Sequence, residues 1–270
     1  MCSHMGMRIL FNFRLICNGG IILFTAAMLI ELVLSEDQSK YEACAPINCG
    51  LGPNISYPFY VKDAGEEFCG HPGFRIACEN DEPIYKTSSG LFIIKDISYE
   101  NQWFRLVDKE VLSNDSCITP VHNFSFDRAS LIFRPYHAEL FFFRNCNVSF
   151  EVNYTKTEVP CASNATYNSS IALVPRDEEA NWSRIACEYL VTAPVQLEES
   201  KVNRTIYSFD YVKLLKDGFT LKWTGQSCAG CRNSGGRCGF EEDKNVCFCP
   251  DGSHAQNCKD GRLNLHSFFI

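Results

Sequence analysis

Cysteine supplies the most definite chemistry in this sequence. Fourteen cysteines lie between Cys44 and Cys258, an even number that can pair completely in an oxidising compartment, with Cys2 and Cys17 ahead of them. Cys44, Cys49, Cys69, Cys78, Cys117 and Cys146 form a first group; Cys161, Cys187, Cys228, Cys231, Cys238, Cys247, Cys249 and Cys258 form a second. The Cys228-x2-Cys231 spacing also suits zinc, so thiolate ligation is the alternative to disulfides. Cys247 and Cys249 would share one side of a strand, and with a single residue between them each is expected to have its own partner. The spacing leaves the connectivity open.

Acid–base groups are scattered. His71, His122 and His137 could move protons, but isolated histidines near turns ordinarily serve packing or the surface. Asp63, Glu66 and Glu67 could imitate a glycosidase carboxylate pair, yet their closeness in a turn-like stretch suits a solvated acidic loop. No Gly-x-Ser-x-Gly element occurs, and Ser234-Gly235-Gly236 lies inside a cysteine cluster, as a turn between disulfides rather than a phosphate cradle. Without a nucleophile beside a base, a placed carboxylate pair or a metal constellation, we expect no enzyme, no cofactor and no metal.

The elements that must hold these residues are mostly short strands. Aromatic and β-branched runs broken by turn formers predict strands over Tyr57–Val61, Phe74–Cys78, Leu91–Ile97, Trp103–Val107, Leu131–Phe133, Leu140–Phe143 and Phe219–Trp223. The unbroken Leu140-Phe141-Phe142-Phe143 predicts burial on both faces. Asn147 to Asn153 alternates, so a strand there would turn Val148, Phe150 and Val152 inward and both asparagines outward. Helix-like spacing marks Glu178–Leu190 and Ser208–Lys216, the latter closed by Gly218. Phe59 is expected to anchor the core rather than to offer an exposed sugar platform.

At 270 residues and 46% apolar composition the chain can bury real cores. Arg8 and Arg14 precede an apolar run from Gly19 to Leu34, followed by Ser35, which reads as a secretory signal peptide over 1–35. Glu31 inside that run keeps an uncleaved signal anchor as the alternative. Export favours disulfides over zinc. Nine Asn-x-Ser/Thr sequons follow, at Asn54, Asn114, Asn123, Asn147, Asn153, Asn164, Asn168, Asn181 and Asn203, as in a heavily N-glycosylated protein. The expected fold is mainly β and disulfide-rich, with two small extracellular modules over 44–146 and 161–258, minor helix in the second, and a tail over 259–270.

Cys49-Gly50-Leu51-Gly52-Pro53-Asn54-Ile55-Ser56-Tyr57-Pro58-Phe59, followed by Cys69-Gly70-His71-Pro72-Gly73-Phe74-Arg75-Ile76-Ala77-Cys78, resembles the galacturonan-binding domain of plant wall-associated receptor-like kinases. Gly218-Phe219-Thr220-Leu221-Lys222-Trp223, Cys228-Ala229-Gly230-Cys231, Ser234-Gly235-Gly236-Arg237-Cys238-Gly239 and Phe248-Cys249-Pro250-Asp251-Gly252 resemble that family's C-terminal wall-associated domain, in its leaf-rust-resistance-locus subgroup. Such relatives continue into a transmembrane helix and a Ser/Thr kinase. Here twelve residues follow Cys258, and the glycine-rich loop, His-Arg-Asp and Asp-Phe-Gly elements of a kinase are not found, so the expectation is an ectodomain without its kinase.

The resemblance implies binding of pectin of the homogalacturonan type, in the apoplast or cell wall, with a membrane contact only if the signal segment is retained. Carboxylates call for arginine forks and lysines beside flat aromatic surfaces. Cys44–Cys146 has nine Lys and Arg against thirteen Asp and Glu, a net −4 that opposes simple electrostatic capture, whereas Lys201–Arg237 has seven against two, net +5. The candidate polysaccharide contacts are Arg128, Arg134 and Arg144, which flank aromatic strands with Tyr136 and His137 between them, and Lys213, Lys216 and Lys222. The bland reading of each arginine is an aliphatic stem covering a strand end. Acidic side chains sharing Ca²⁺ with pectate is a second mechanism, unsupported by a calcium-loop motif. The rival function is a protein-interaction module or decoy for a peptide or receptor-kinase ectodomain. No nucleic-acid partner is expected.

Overall fold

The computed structural model describes residues 39–113, 116–120, 122–126, 130–146, 156–175, 187–198, 209–225 and 227–258. They fall into two compact units, one over Pro46–Ser227 and the other combining 39–45 with 228–258.

In the larger unit the period-2 apolar pattern becomes a seven-stranded sheet. Its strands are β1 (Tyr60–Val61), β2 (Arg75–Glu79), β3 (Glu82–Lys86), β4 (Leu91–Ser98), β5 (Trp103–Asp108), β6 (Leu131–Phe133) and a late strand, Phe219–Trp223. A four-stranded antiparallel sheet contains β7 (His137–Cys146), β8 (Lys156–Glu158), β9 (Asn168–Pro175) and β10 (Cys187–Gln196) in the order β10-β7-β9-β8. Counting on, Phe219–Trp223 is β11, and the first sheet runs β1-β2-β3-β4-β5-β11-β6, antiparallel except for the β1–β2 pair. Asn80 and Asp81 both adopt positive φ, 51° and 64°, the hand that a two-residue β2–β3 hairpin requires.

One face of the first sheet holds the aromatic core. Phe59 meets Phe74, Phe104 and Trp223 edge-on, with centroids 5.3, 5.0 and 5.4 Å away. Phe59 is thus a core anchor, buried with Ile76, Leu106 and Leu221. In the second sheet Leu140 and Phe142 join Ile171, Leu173 and Val195 in one cluster, while Phe143 packs with Ala172 and Cys146 in another, so the Leu140–Phe143 run is buried from both sides. Two short helices, α1 (Lys109–Ser113) and α2 (Tyr211–Asp217), add Val111 and Leu215 to the first of these clusters.

The helix expected over Ser208–Lys216 is α2, begun by the Asp210 side chain accepting from Lys213 N at 3.0 Å and closed at Gly218. The helix expected over Glu178–Leu190 is corrected in its described part: 187–190 belong to β10, where Cys187 stands opposite Cys146 and Leu190 opposite Phe143. Pairing with β7 overrides the local apolar spacing. The Asn147–Asn153 strand and the signal segment lie outside the described residues.

All fourteen cysteines from Cys44 onward are disulfide-bonded. The larger unit holds Cys49–Cys78, Cys117–Cys161 and Cys146–Cys187. The last two link the two cysteine groups of the sequence, and β11 lies between β5 and β6, so the compact units partition the chain differently from the cysteine groups.

The smaller unit has α3 (Ala229–Asn233) and an antiparallel sheet of β12 (Arg237–Glu241), β13 (Lys244–Cys249) and β14 (Gly252–His254). Its bridges are Cys228–Cys238, Cys231–Cys247 and Cys249–Cys258, so Cys247 and Cys249 have separate partners and the Cys-x2-Cys sulfurs are consumed as disulfides. Residues 39–43 are helical here, and Tyr41 is covered by the Arg237 guanidinium, 4.0 Å from its ring centre. Among the described residues no helix is long and apolar enough to cross a membrane.

Candidate functional site

Alternation along β5 turns Phe104 and Leu106 into the core and therefore sends Trp103 and Arg105 to the opposite face. The same rule on β11 buries Phe219, Leu221 and Trp223 and leaves Lys222 outside. Register aligns these outer residues. Lys222 stands opposite Trp103 on one side and Ile132 on the other, and Thr220 stands opposite Arg105. Directly after β6, Arg134 N donates to Thr220 O at 3.1 Å, which extends that pairing by one residue.

Two cross-strand rows result, Trp103–Lys222–Ile132 and Arg105–Thr220–Arg134. The Arg134 guanidinium carbon lies 5.1 Å from the centre of the Trp103 ring, a cation–π arrangement. Thr220 is buried beneath this face, whereas Arg105, Lys222 and Arg134 are exposed, as is Ile132 at 49%. Among the described residues no ion pair engages Arg105, Arg134 or Lys222; the carboxylate facing this group in register is Asp96, opposite Arg105 on β4. Other cations are matched, among them Lys95 with Glu82 at 3.0 Å, Lys109 with Glu79 at 2.6 Å, and Lys213 with Asp217, whereas Lys62 and Lys86 stand apart from one another toward the β1–β3 end of the sheet. Unmatched guanidinium and ammonium groups held on a rigid sheet can receive carboxylates from a ligand.

The structure therefore brings Arg134 and Lys222 together and separates the other candidates from them. Lys213 and Lys216 sit on α2, where the hydrogen bond to Asp217 raises the Lys213 pKa and offsets its charge. Arg144 lies near the end of β7, opposite the exposed Tyr189 and close to Glu188, whose carboxyl is held down chiefly by its hydrogen bond from Asn145 at 2.6 Å. Arg128 lies outside the described residues. Trp103 and Arg105 were not singled out from sequence, although the alternation of Trp103-Phe104-Arg105-Leu106 already put both on one face.

None of the acid–base candidates joins this face as a proton-transfer group. His137 stacks flat on Phe133, with centroids 4.4 Å apart, and its Nδ1 meets Arg134 O at 3.1 Å. His122 lies between two carboxylates, Nε2 at 3.5 Å from Asp108 Oδ2 and Nδ1 at 3.8 Å from Glu110 Oε2. It lines a cavity of about 20 Å³, room for one water, with Asp108, Phe92 and Phe219. Burial raises the Asp108 pKa, against the lowering effects of the Glu110 backbone N–H and of His122. The ring of His71 meets that of Phe74 edge-on at 5.8 Å, a packing contact. Asp63 and Glu66 are exposed in a loop, and Glu67 is exposed at the start of the 3-10 turn Glu67–Cys69.

Four sequon asparagines are described, Asn54, Asn123, Asn164 and Asn168, and all four are exposed. Asn123 Oδ1 accepts from Thr192 N at 2.8 Å and Asn164 Oδ1 from Thr166 N at 2.8 Å, which leaves each amide nitrogen for modification. Asn114, Asn147, Asn153, Asn181 and Asn203 lie outside the described residues.

Comparison with known proteins agrees with this architecture. The family described as wall-associated receptor kinase galacturonan-binding matches residues 44–108, and that described as wall-associated receptor kinase C-terminal matches residues 145–252. The chain is 34% identical over 247 residues to the leaf rust 10 disease-resistance locus receptor-like protein kinase-like 1.2 of Arabidopsis thaliana, covering 89% of this chain and 37% of that protein. It is 28% identical over 257 residues to the like-2.1 member, covering 90% of this chain and 39% of that protein. A putative RING-H2 finger protein, ATL21A, of the same plant is 26% identical over 217 residues, covering 78% of this chain and 55% of that protein. The chain thus spans between about a third and just over half of the length of these relatives. No solved structure matches. The chain carries the galacturonan-binding and C-terminal segments of the wall-associated receptor kinases, in the form found in the leaf-rust-10-type receptor-like kinases.

Proposed function

We propose that this chain is an extracellular perception module that binds pectic polysaccharide of the homogalacturonan type and is not itself an enzyme. The observation that carries this reading is the galacturonan-binding segment, residues 44–108, folded as the β1–β5 part of an oxidised sheet whose outer face presents cations without carboxylate partners. Oxidation of all fourteen described cysteines and four exposed sequon asparagines suit a glycosylated protein of the apoplast or cell wall. Relatives named for a kinase and for a RING-H2 finger share these segments, as expected of a sensing part joined to different outputs.

The test is binding of the glycosylated protein to de-esterified homogalacturonan across a salt series, with calcium present and then chelated. Binding that weakens with salt and survives chelation supports direct contact by arginine and lysine. Loss on chelation alone replaces that contact with calcium bridging. No binding in either condition overturns the pectin reading.

A second reading, docking of a protein partner, is favoured by Tyr189 and Leu190, exposed at 54% and 40% on β10, an edge strand beside Arg144. Salt-insensitive capture of a receptor ectodomain or peptide, abolished by Tyr189→Ser with Leu190→Ser, would select it.

A further inference from the structure

Trp103 and Arg105 lie within the matched galacturonan-binding segment, Lys222 within the matched C-terminal segment, and Arg134 between the two. The fold brings them onto one face because β11 is inserted between β5 and β6. We propose that this composite face, Trp103, Arg105, Lys222 and Arg134, is the seat of an acidic saccharide chain, so that neither family segment contains the binding site by itself. The proposal rests on the pectin reading and adds where the uronate chain lies and which residues hold it.

Charge complementarity commits the face to an anionic occupant. The Cys44–Cys146 stretch is acidic as a whole, nine cations against thirteen carboxylates, yet this face sets three unmatched cations against Asp96. A saccharide bearing one carboxylate per sugar can satisfy several of them in succession. Neighbouring strands are about 4.8 Å apart, so a chain crossing β5, β11 and β6 meets Arg105, Lys222 and Arg134 over roughly 10 Å. A peptide with isolated acidic side chains offers no such regular series.

The Trp103 ring has a positioning role. Its face is already used by the Arg134 guanidinium at 5.1 Å, which orients the plane of the fork and leaves its N–H edges for a carboxylate. Prior ordering lowers the entropy cost of bidentate contact. Lys222, directly opposite Trp103, supplies the adjacent ammonium, and the partly apolar Ile132 edge can cover the C–H side of a sugar ring.

The test uses the glycosylated full chain and de-esterified galacturonate oligomers at low salt. A hydrogen bond to a charged group contributes enough that each loss weakens binding by about ten-fold, so Arg134→Gln with Lys222→Gln is expected to weaken it roughly 100-fold. The control, Lys62→Gln with Lys86→Gln, removes the same net charge from exposed positions toward the β1–β3 end of the sheet and should bind as the unaltered chain. Arg105→Gln serves as a second variant if the first pair expresses poorly. With Trp182 replaced by Phe in both proteins, fluorescence should change on ligand titration and lose that response in Trp103→Phe, since the remaining Trp223 is buried. If the unaltered chain binds and both face variants bind equally well, the composite face is wrong and the pectin reading stands. If the unaltered chain does not bind these oligomers, the pectin reading and the face fail together.

Discussion

Replacing Gly218 by alanine probes the joint that places β11 in the first sheet. Gly218 has φ 73° and ψ −156°, a conformation essentially confined to glycine, with a cost of about 1–3 kcal/mol for any other residue. A Cβ there would also overlap the Leu106 carbonyl oxygen and come within 2.8 Å of Val107 Cγ2. Relieving that overlap means moving the residue whose N–H closes α2 on Leu214 O at 3.0 Å and whose carbonyl accepts from Gln196 N at 3.1 Å. Two weakened hydrogen bonds add about 1 kcal/mol each, for a total of about 4 kcal/mol. Gly225 isolates the conformational part: its φ is 85°, and a Cβ there meets nothing within 4 Å. Urea unfolding followed by intrinsic fluorescence under oxidising conditions should then show Gly218→Ala losing about 4 kcal/mol and Gly225→Ala about 1–2 kcal/mol. On heating, the Gly218 variant should melt on the order of 10 °C lower. Equal losses in the two variants would refute the claim that close approach to β5, rather than backbone hand alone, makes Gly218 necessary.

Gly236→Ala should prevent correct oxidation of the smaller unit, because a Cβ there would run into Cys247 Sγ and lie 2.6 and 2.7 Å from the sulfurs of Cys258 and Cys231. Thiol titration of the denatured variant should reveal free cysteines; complete oxidation with an unchanged unfolding midpoint would contradict this. Asp108 titrates with a pKa raised mainly by burial, so the native state holds its proton more tightly than the unfolded chain. Its contribution is fully present below the ordinary carboxylate range and is lost as pH rises through the raised native value. Asp108→Asn should therefore flatten the fall in stability over that window, and parallel stability–pH curves for the two proteins would exclude the effect.

Several strands were legible because their side chains announce a face locally. Leu131–Phe133 and Phe219–Trp223 match β6 and β11 residue for residue, and Trp103–Val107 lies within β5. Period-2 alternation with large apolar residues needs no knowledge of the partner strand. Glu82–Lys86 escaped notice because Pro83 interrupts the donor pattern and charged residues occupy both ends. Cys187–Leu190 mimicked helical spacing, and its strand form depends on Phe143 and Cys146 across the ladder.

By itself the sequence determined a mainly β, disulfide-rich chain, because composition and side-chain periodicity are local properties. It also limited Cys247 and Cys249 to separate partners through the short reach of a disulfide. Which sulfur meets which, and which cations share a surface, was decided only in tertiary structure. Spacing can place Trp103 beside Arg105, and Lys222 on the outer side of its strand, but it carries no information on pairing across more than a hundred residues. That pairing follows from burial of the opposite face: Phe104, Leu221 and Trp223 close the core only with β11 seated between β5 and β6, and the same step brings Arg134 over Trp103.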